Sequence, residues 1–147
     1  MVEVEFKPIG KIHSPFKSYG NVPVQPKFSK AKGKIEVFEE FKDGLKDLEG
    51  FEYIMCLSYF HLVKPPVHLQ SRTHWDNIKH GIFAIRSPYR PNPIGFSVFK
   101  LEKIEKNFIY VENLDLINGT PVLDIKPFIP SIDNRETDKI GWIKGKF

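Results

Sequence analysis

Apolar and polar residues alternate along this chain in short runs rather than in long helical stripes. Segments at residues 4–13, 33–38, 53–62, 81–86, 97–104, 108–112 and 122–126 are rich in β-branched and aromatic side chains and read as strands. Proline- and glycine-bearing stretches between them cannot continue a ladder. Lys106-Asn107 separates two of the runs by the length of a tight hairpin connection, without the usual Asn-Gly pair. One helical stripe stands out: Phe38, Phe41, Leu45 and Leu48 recur at three- and four-residue spacings with charges between them. Gly44 weakens that helix and Gly50 is its natural stop. Residues 14–32, 63–80 and those after 128 carry no strand pattern, and such long loops in a small domain are usually functional or disordered. About seven short strands and one short helix predict a mainly β fold, a small closed β-barrel, because closure removes exposed edges. A parallel α/β fold would need crossover helices that this pattern lacks.

The chain of 147 residues is expected to form a single domain, 1–147, with no repeat and no linker. No apolar run is long enough for a membrane span, and the first residues lack the pattern of a signal peptide. A lone cysteine, Cys56, can form neither an internal disulfide nor a zinc cluster. A cytoplasmic protein is expected.

Charge changes this picture in one place. Residues 61–100 hold six Lys and Arg (Lys64, Arg72, Lys79, Arg86, Arg90, Lys100) against Asp76 alone, and four of the five histidines. The rest of the chain is close to neutral. A local positive field of this kind attracts phosphates, on nucleotides or on a nucleic-acid backbone. A solvated basic loop would look the same.

Several familiar chemistries are missing. Neither a dinucleotide-binding glycine fingerprint nor a phosphate-binding P-loop occurs. Ser14, Ser58, Ser87 and Ser97 lack a nucleophile-elbow context. His61, His68, His74 and His80 lie six or seven apart without clustered cysteines or carboxylates, so no metal is expected. Cys56 sits between Met55 and Leu57 and reads as core. What remains is unusual. Arg86-Ser87-Pro88-Tyr89-Arg90-Pro91-Asn92-Pro93-Ile94-Gly95 places three prolines in six residues, a stiff frame that can present arginines to a carboxylate or phosphate or merely connect strands. Leu114–Pro121 contains an Asn-Gly-Thr-Pro turn, read as offering free backbone groups and a free hydroxyl. Asp124 and Lys126, two apart on a strand, face one side while Leu123 and Ile125 face the other; the two charges could simply pair. Val22-Pro23-Val24-Gln25-Pro26-Lys27 adds a third proline-braced stretch.

These segments resemble, in order, those of the TsaA-like (YaeB/VirR, TrmO-type) family. The likeness runs through Ile9–Phe16, 22–27, 81–95 ("GIFAIRSPYRPNPIG") and 114–130 ("LDLINGTPVLDIKPFIP"), and covers residues 5–133. The resemblance implies a small β-barrel S-adenosyl-L-methionine-dependent tRNA (adenine-N6)-methyltransferase, acting as a homodimer on threonylcarbamoyl-adenosine beside the anticodon. Carried over by position, cofactor contacts fall on Gln25, Pro26, Lys27, Phe60, His61, Arg86, Phe96, Asp115, Leu116, Asn118, Gly119 and Thr120. Phe60 or Phe96 would offer an aromatic face, Arg86 a carboxylate partner and the 115–120 turn its backbone. Asn118 replaces an aspartate found in many relatives. Bacterial members carry an additional C-terminal domain, thought to help hold tRNA, which this chain is expected to lack. Proton removal from the substrate nitrogen would fall to Asp124, His61 or Lys126, with Asp124 first. Arg90, Arg72 and Lys79 would meet tRNA phosphates. Two other readings compete: a non-catalytic S-adenosylmethionine sensor, and a plain basic RNA-binding barrel.

Overall fold

The computed structural model describes residues 2–18 and 29–146. They form two compact units, the first drawn from Met1–His61 and Ile94–Phe128, the second from Leu62–Pro93 and Ile129–Phe147. Eight strands follow one another along the chain: β1 (Gly10–His13), β2 (Lys32–Val37), β3 (Tyr53–Tyr59), β4 (Gln70–Thr73), β5 (Asp76–Gly81), β6 (Ile94–Glu105), β7 (Phe108–Glu112) and β8 (Pro121–Pro127). In the first unit β1, β2, β7, β6, β3 and β8 close in that order into an antiparallel barrel. Closure is made by Gly10 pairing with Val122 and Lys11 with Pro121. The approach of β1 to β2 is tight, since a Cβ on Gly10 would run into the Glu36 carbonyl.

Two-residue alternation fills the barrel. Ile12, Ile35, Ile54, Cys56, Phe99, Ile109, Val111 and Val122 have no exposed surface, and each large apolar side chain so buried contributes about 1.5–3 kcal/mol. The inward row of β6 begins with Gly95 and Ser97 before it turns apolar at Phe99 and Leu101, and that of β3 ends on Ser58. One end of the barrel therefore has a polar inner layer. The β3–β8 register shifts between Leu57 and Ser58, so that Val122 stands opposite Ser58 while Asp124 stands opposite Leu57. The β6–β7 hairpin turns at Lys106-Asn107 as expected, with Lys106 at φ 55° and the Asn107 side chain donating to the Val37 carbonyl at 2.8 Å.

The closed barrel matches the expectation, but several element assignments need correction. The expected strand at 4–13 is ordered as strand only over Gly10–His13, since Val2–Lys7 lie exposed without ladder partners and Pro8 has no N–H to give. The expected helix is a run of 3₁₀ turns, Glu39–Leu45 and Leu48–Gly50, broken by Asp47 at φ 71°. Leu45 is still buried, so the stripe found its core without forming an α-helix. The expected strand at 81–86 is instead a 3₁₀ turn, Ile82–Ala84, because Ile82 and Ile85 are buried at the three-residue spacing of that helix. Conversely, residues 63–80 hold the β4–β5 hairpin of the second unit, whose polar strands gave no apolar alternation to read.

Within that second unit, His80 Nε2 lies 3.0 and 3.1 Å from the two Asp76 carboxylate oxygens. Its ring stacks on Trp142 at 3.9 Å and 16°. Trp142 Nε1 donates to the Ala84 carbonyl at 2.8 Å. Burial would raise the Asp76 pKa, but the hydrogen bonds from His80 and the Ile78 amide outweigh it and hold the carboxyl below its usual range. No helix among the described residues is long and apolar enough to cross a membrane.

Candidate functional site

At one end of the barrel the last residues of β3 and the first of β6 and β8 come together with the crossing segment Leu114–Thr120. That segment is stapled in place. The Leu114 amide donates to the Ala31 carbonyl, the Ser29 hydroxyl to the Leu114 carbonyl, and the Asn113 side chain to the Ser29 carbonyl. Leu114, Leu116 and Ile117 are buried on either side of Asp115. Asp115 is thus fixed by its neighbours, and its Oδ1 accepts a hydrogen bond of 2.8 Å from the buried Ser97 hydroxyl. Burial pushes this carboxyl up to about 7, while the Ser97 hydroxyl and its own backbone amide pull weakly the other way.

Ser58 stands opposite Gly95 on the inner layer, and its buried hydroxyl has no hydrogen-bond partner among the described residues. A Cβ at Gly95 would lie 2.5 Å from that hydroxyl and 2.7 Å from Phe60 Cζ. Burial, then the nearby Asp115 and Asp124, push the Cys56 thiol far up, so it remains neutral. Beside this layer Phe96 is 52% exposed and presents an open aromatic face.

The Asn118–Thr120 turn differs from its expected form. Its amides are all engaged: Asn118 to the Phe16 carbonyl, Gly119 to Ile12 and Thr120 to Ile117. The Thr120 hydroxyl also donates to Ile117, at 2.6 Å, and Asn118 Oδ1 accepts from the Ser14 amide. Turn donors are consumed because the loop must be tied to β1 to end the barrel. Gly119, at φ 86°, and Asn118 remain exposed, and what the turn offers outward is carbonyl oxygen and the Asn118 amino group. Among the described residues, the Asp115 end of the barrel offers mainly acceptors. It suits a ligand that brings hydroxyls or positive charge.

Other expected residues are distributed as follows. Asp124 and Lys126 form an ion pair at 3.0 Å, on the barrel face opposite that of Cys56 and Ile125. His61 is exposed at the end of the β3 segment, and the burial of part of its ring lowers its pKa. In the second unit Arg86 is exposed just beyond the Ile82–Ala84 turn, and Lys79 is exposed on β5. Arg72 Nε donates to the Asn77 carbonyl. Arg90 turns back on its own loop, with Nη1 donating to the Ile85 and Ser87 carbonyls at 3.0 and 3.2 Å, which gives it a bracing role. Gln25, Pro26 and Lys27 lie outside the described residues. Among the described residues no group of three His, Cys, Asp or Glu is gathered as for a metal.

Residues 11–134 match the model of the tRNA-methyltransferase O N-terminal domain. The chain belongs to that family. It is 44% identical to a probable S-adenosyl-L-methionine-binding protein of Pyrococcus abyssi, over 95% of this chain and 76% of that one. It is 37% identical to the tRNA (adenine(37)-N6)-methyltransferase of Homo sapiens, over 87% of this chain but 31% of the human protein. A crystal structure of TrmO from Pseudomonas aeruginosa superposes with a TM-score of 0.82 at 34% identity, covering 97% of this chain and 64% of that one. The chain thus spans about two thirds of that structure and about a third of the human relative. The closed barrel expected from strand pattern is the fold of this family.

The sequence reading passed over Ser58, Gly95 and Ser97 as site residues. The signal was present: Ile54-Cys56-Ser58 and Ser97-Phe99-Leu101 are alternating inward rows whose terminal member is polar, and a serine on a core-facing row needs a reason.

Asp115 should carry a measurable stability signature. Its folded-state pKa lies above that of the unfolded chain, so the folded state holds the extra proton between about pH 4 and pH 7. Stability therefore falls as pH rises through that window. Asp115→Asn, which keeps an acceptor for Ser97, should raise the Tm at pH 8 by roughly 5 °C and leave it nearly unchanged at pH 5. Scanning calorimetry at the two pH values checks this, and an equal change at both would contradict it.

Proposed function

We propose that this protein binds S-adenosyl-L-methionine at the Asp115 end of the barrel. We further propose that it directs the methyl group to N6 of threonylcarbamoyl-adenosine beside the anticodon of a tRNA. The observation that carries the reading is the acceptor-rich barrel end with one open aromatic ring beside it. The ligand fits that chemistry: an adenine needs a ring surface, a ribose brings hydroxyl donors, and a sulfonium brings positive charge. The unpartnered Ser58 hydroxyl and the Gly95 position, which a side chain would fill, support the fit from inside the layer.

In this reading Phe96 and Phe60 stack and shield, the Asn118 and Gly119 carbonyls accept the ribose hydroxyls, and Thr120 keeps the turn in shape through its bonds to Ile117. S-adenosyl-L-methionine, when bound, supplies an electrophilic methyl group for an in-line displacement. The chain's contribution is to hold the reacting atoms in line and exclude water. Asp124 is engaged in its ion pair with Lys126, so its part is structural here. In the second unit Arg86, Arg72 and Lys79 are exposed cationic groups suited to anions such as tRNA phosphates. The same unit exposes Leu69 at 68%, Ile78 at 63% and Phe83 at 81%, an apolar set that supports a homodimer.

Calorimetry on chelator-treated protein should show micromolar S-adenosyl-L-methionine binding, weakened about tenfold or more by Phe96→Ala. No heat at millimolar ligand would end the cofactor reading. Nucleoside mass spectrometry of tRNA from a strain lacking the protein should lose the methylated threonylcarbamoyl-adenosine; an unchanged profile with binding intact would leave a sensor. For the dimer, light scattering should give twice 17.1 kDa, and a mass near 17.1 kDa across a hundredfold dilution would refute it.

A further inference from the structure

The acidic residues on the barrel strands share a pattern. Glu36 faces His13 at 2.8 Å, Glu102 and Glu112 share Lys32, Glu105 meets Lys103 and Asp124 meets Lys126. Each is balanced by a cationic side chain or an imidazole. Asp115, on the crossing segment, is the exception: more deeply set than these, it has the neutral Ser97 hydroxyl as its side-chain partner. Among the described residues no cationic group acts on it: its recorded neighbours are the neutral Cys56 thiol on β3 and the neutral Ser97 hydroxyl on β6. Thr120 on the same segment is committed to Ile117. A carboxylate built into such a place is incomplete without a cation from outside.

We propose that Asp115 is the countercharge for the sulfonium of S-adenosyl-L-methionine and the acceptor of the proton released when that charge disappears. The inference rests on the cofactor reading above and gives it a residue and a charge balance. In methyl transfer to an N–H nucleophile, the carbon–sulfur bond breaks and its electron pair stays on sulfur. The nitrogen lone pair forms the new carbon–nitrogen bond, and one N–H proton leaves. With that proton on the Asp115 carboxylate, a sulfonium–carboxylate pair becomes a neutral thioether and a neutral acid. The net charge of a poorly solvated site stays the same throughout, which avoids stranding a charge in either state. Burial favours this function, because it sets the carboxyl to exchange its proton close to neutrality.

Binding should therefore distinguish the cation from the neutral product by pH. Below about pH 7 Asp115 is protonated in the free protein, and the cation must expel that proton to bind. The neutral S-adenosyl-L-homocysteine need not. Its amino-acid and adenosine groups are those of the cofactor, and Asp115→Asn, which lacks the carboxylate, controls for the titration of the ligands' own groups. Titration calorimetry of both ligands from pH 5.5 to 8 is the test. In the wild type the preference for the cation over the thioether should rise at least tenfold across that range. Asp115→Asn should hold the ratio constant. Ser97→Ala, which covers the case of an unfolded Asp115 variant, should move the rise to higher pH by removing a bond that favours the ionised form. A ratio constant with pH in the wild type overturns the inference and leaves the cofactor reading standing, as does an undiminished rise in Asp115→Asn. Failure of the wild type to bind either ligand overturns both.

Discussion

A half-buried carboxyl group at the polar end of the barrel, held by one serine hydroxyl, is the constraint on which the rest of this molecule turns. Asp115 could not sit there if the Leu114–Thr120 segment were free to move, since water would then solvate it and the carboxyl would titrate like any other. The chain prevents this by pinning the segment at both ends. Ser29, Ala31 and Asn113 hold its start, and the Ile12, Phe16 and Ile117 carbonyls hold its close. The barrel exists partly to supply those anchor points, since β1 and the residues before β2 provide most of them.

The polar inner layer has a cost that the opposite end of the barrel avoids. Phe99, Ile54 and Ile109 fill the lumen with apolar side chains, each gaining from exclusion of water. Ser58, Gly95 and Ser97 give up that gain, and the Ser58 hydroxyl, without a partner among the described residues, costs roughly 1–3 kcal/mol more. A barrel selected for stability alone would continue the apolar row of β6 to its end. The interruption lies beside the exposed Phe96 ring and the acceptor carbonyls of the turn, where a ligand can repay it. Local instability and binding chemistry coincide here.

Strand periodicity made the barrel legible because each wall strand buries one face. The β7 segment was readable to the residue for this reason, and β6 lacked only its first three residues and its last. The β4–β5 hairpin was not legible, because Gln70–Thr73 and Asp76–Gly81 bury little and their sequence records no inward row. The Ile82–Ala84 turn misled in the other direction: a short apolar run can serve a strand or a 3₁₀ turn equally well. At the site, resemblance pointed to Asp115 and the turn that follows. Neither resemblance nor pattern could show that Asp115 meets Ser97, eighteen residues earlier in the chain, or that the turn spends its amides on β1 and the residues beside it. Those facts belong to register and closure, which a linear pattern does not encode. Asp124 and Lys126 illustrate the converse, since their two-residue spacing allowed the pairing that the structure contains.

The state of the Asp115 carboxyl is the point at which fold, site and proposed chemistry meet. Carbon-13 NMR titration of that carboxyl in the ligand-free protein measures it directly. The structure predicts a midpoint of about 7. A midpoint below about 5, the range of an ordinary solvated aspartate, would contradict the account.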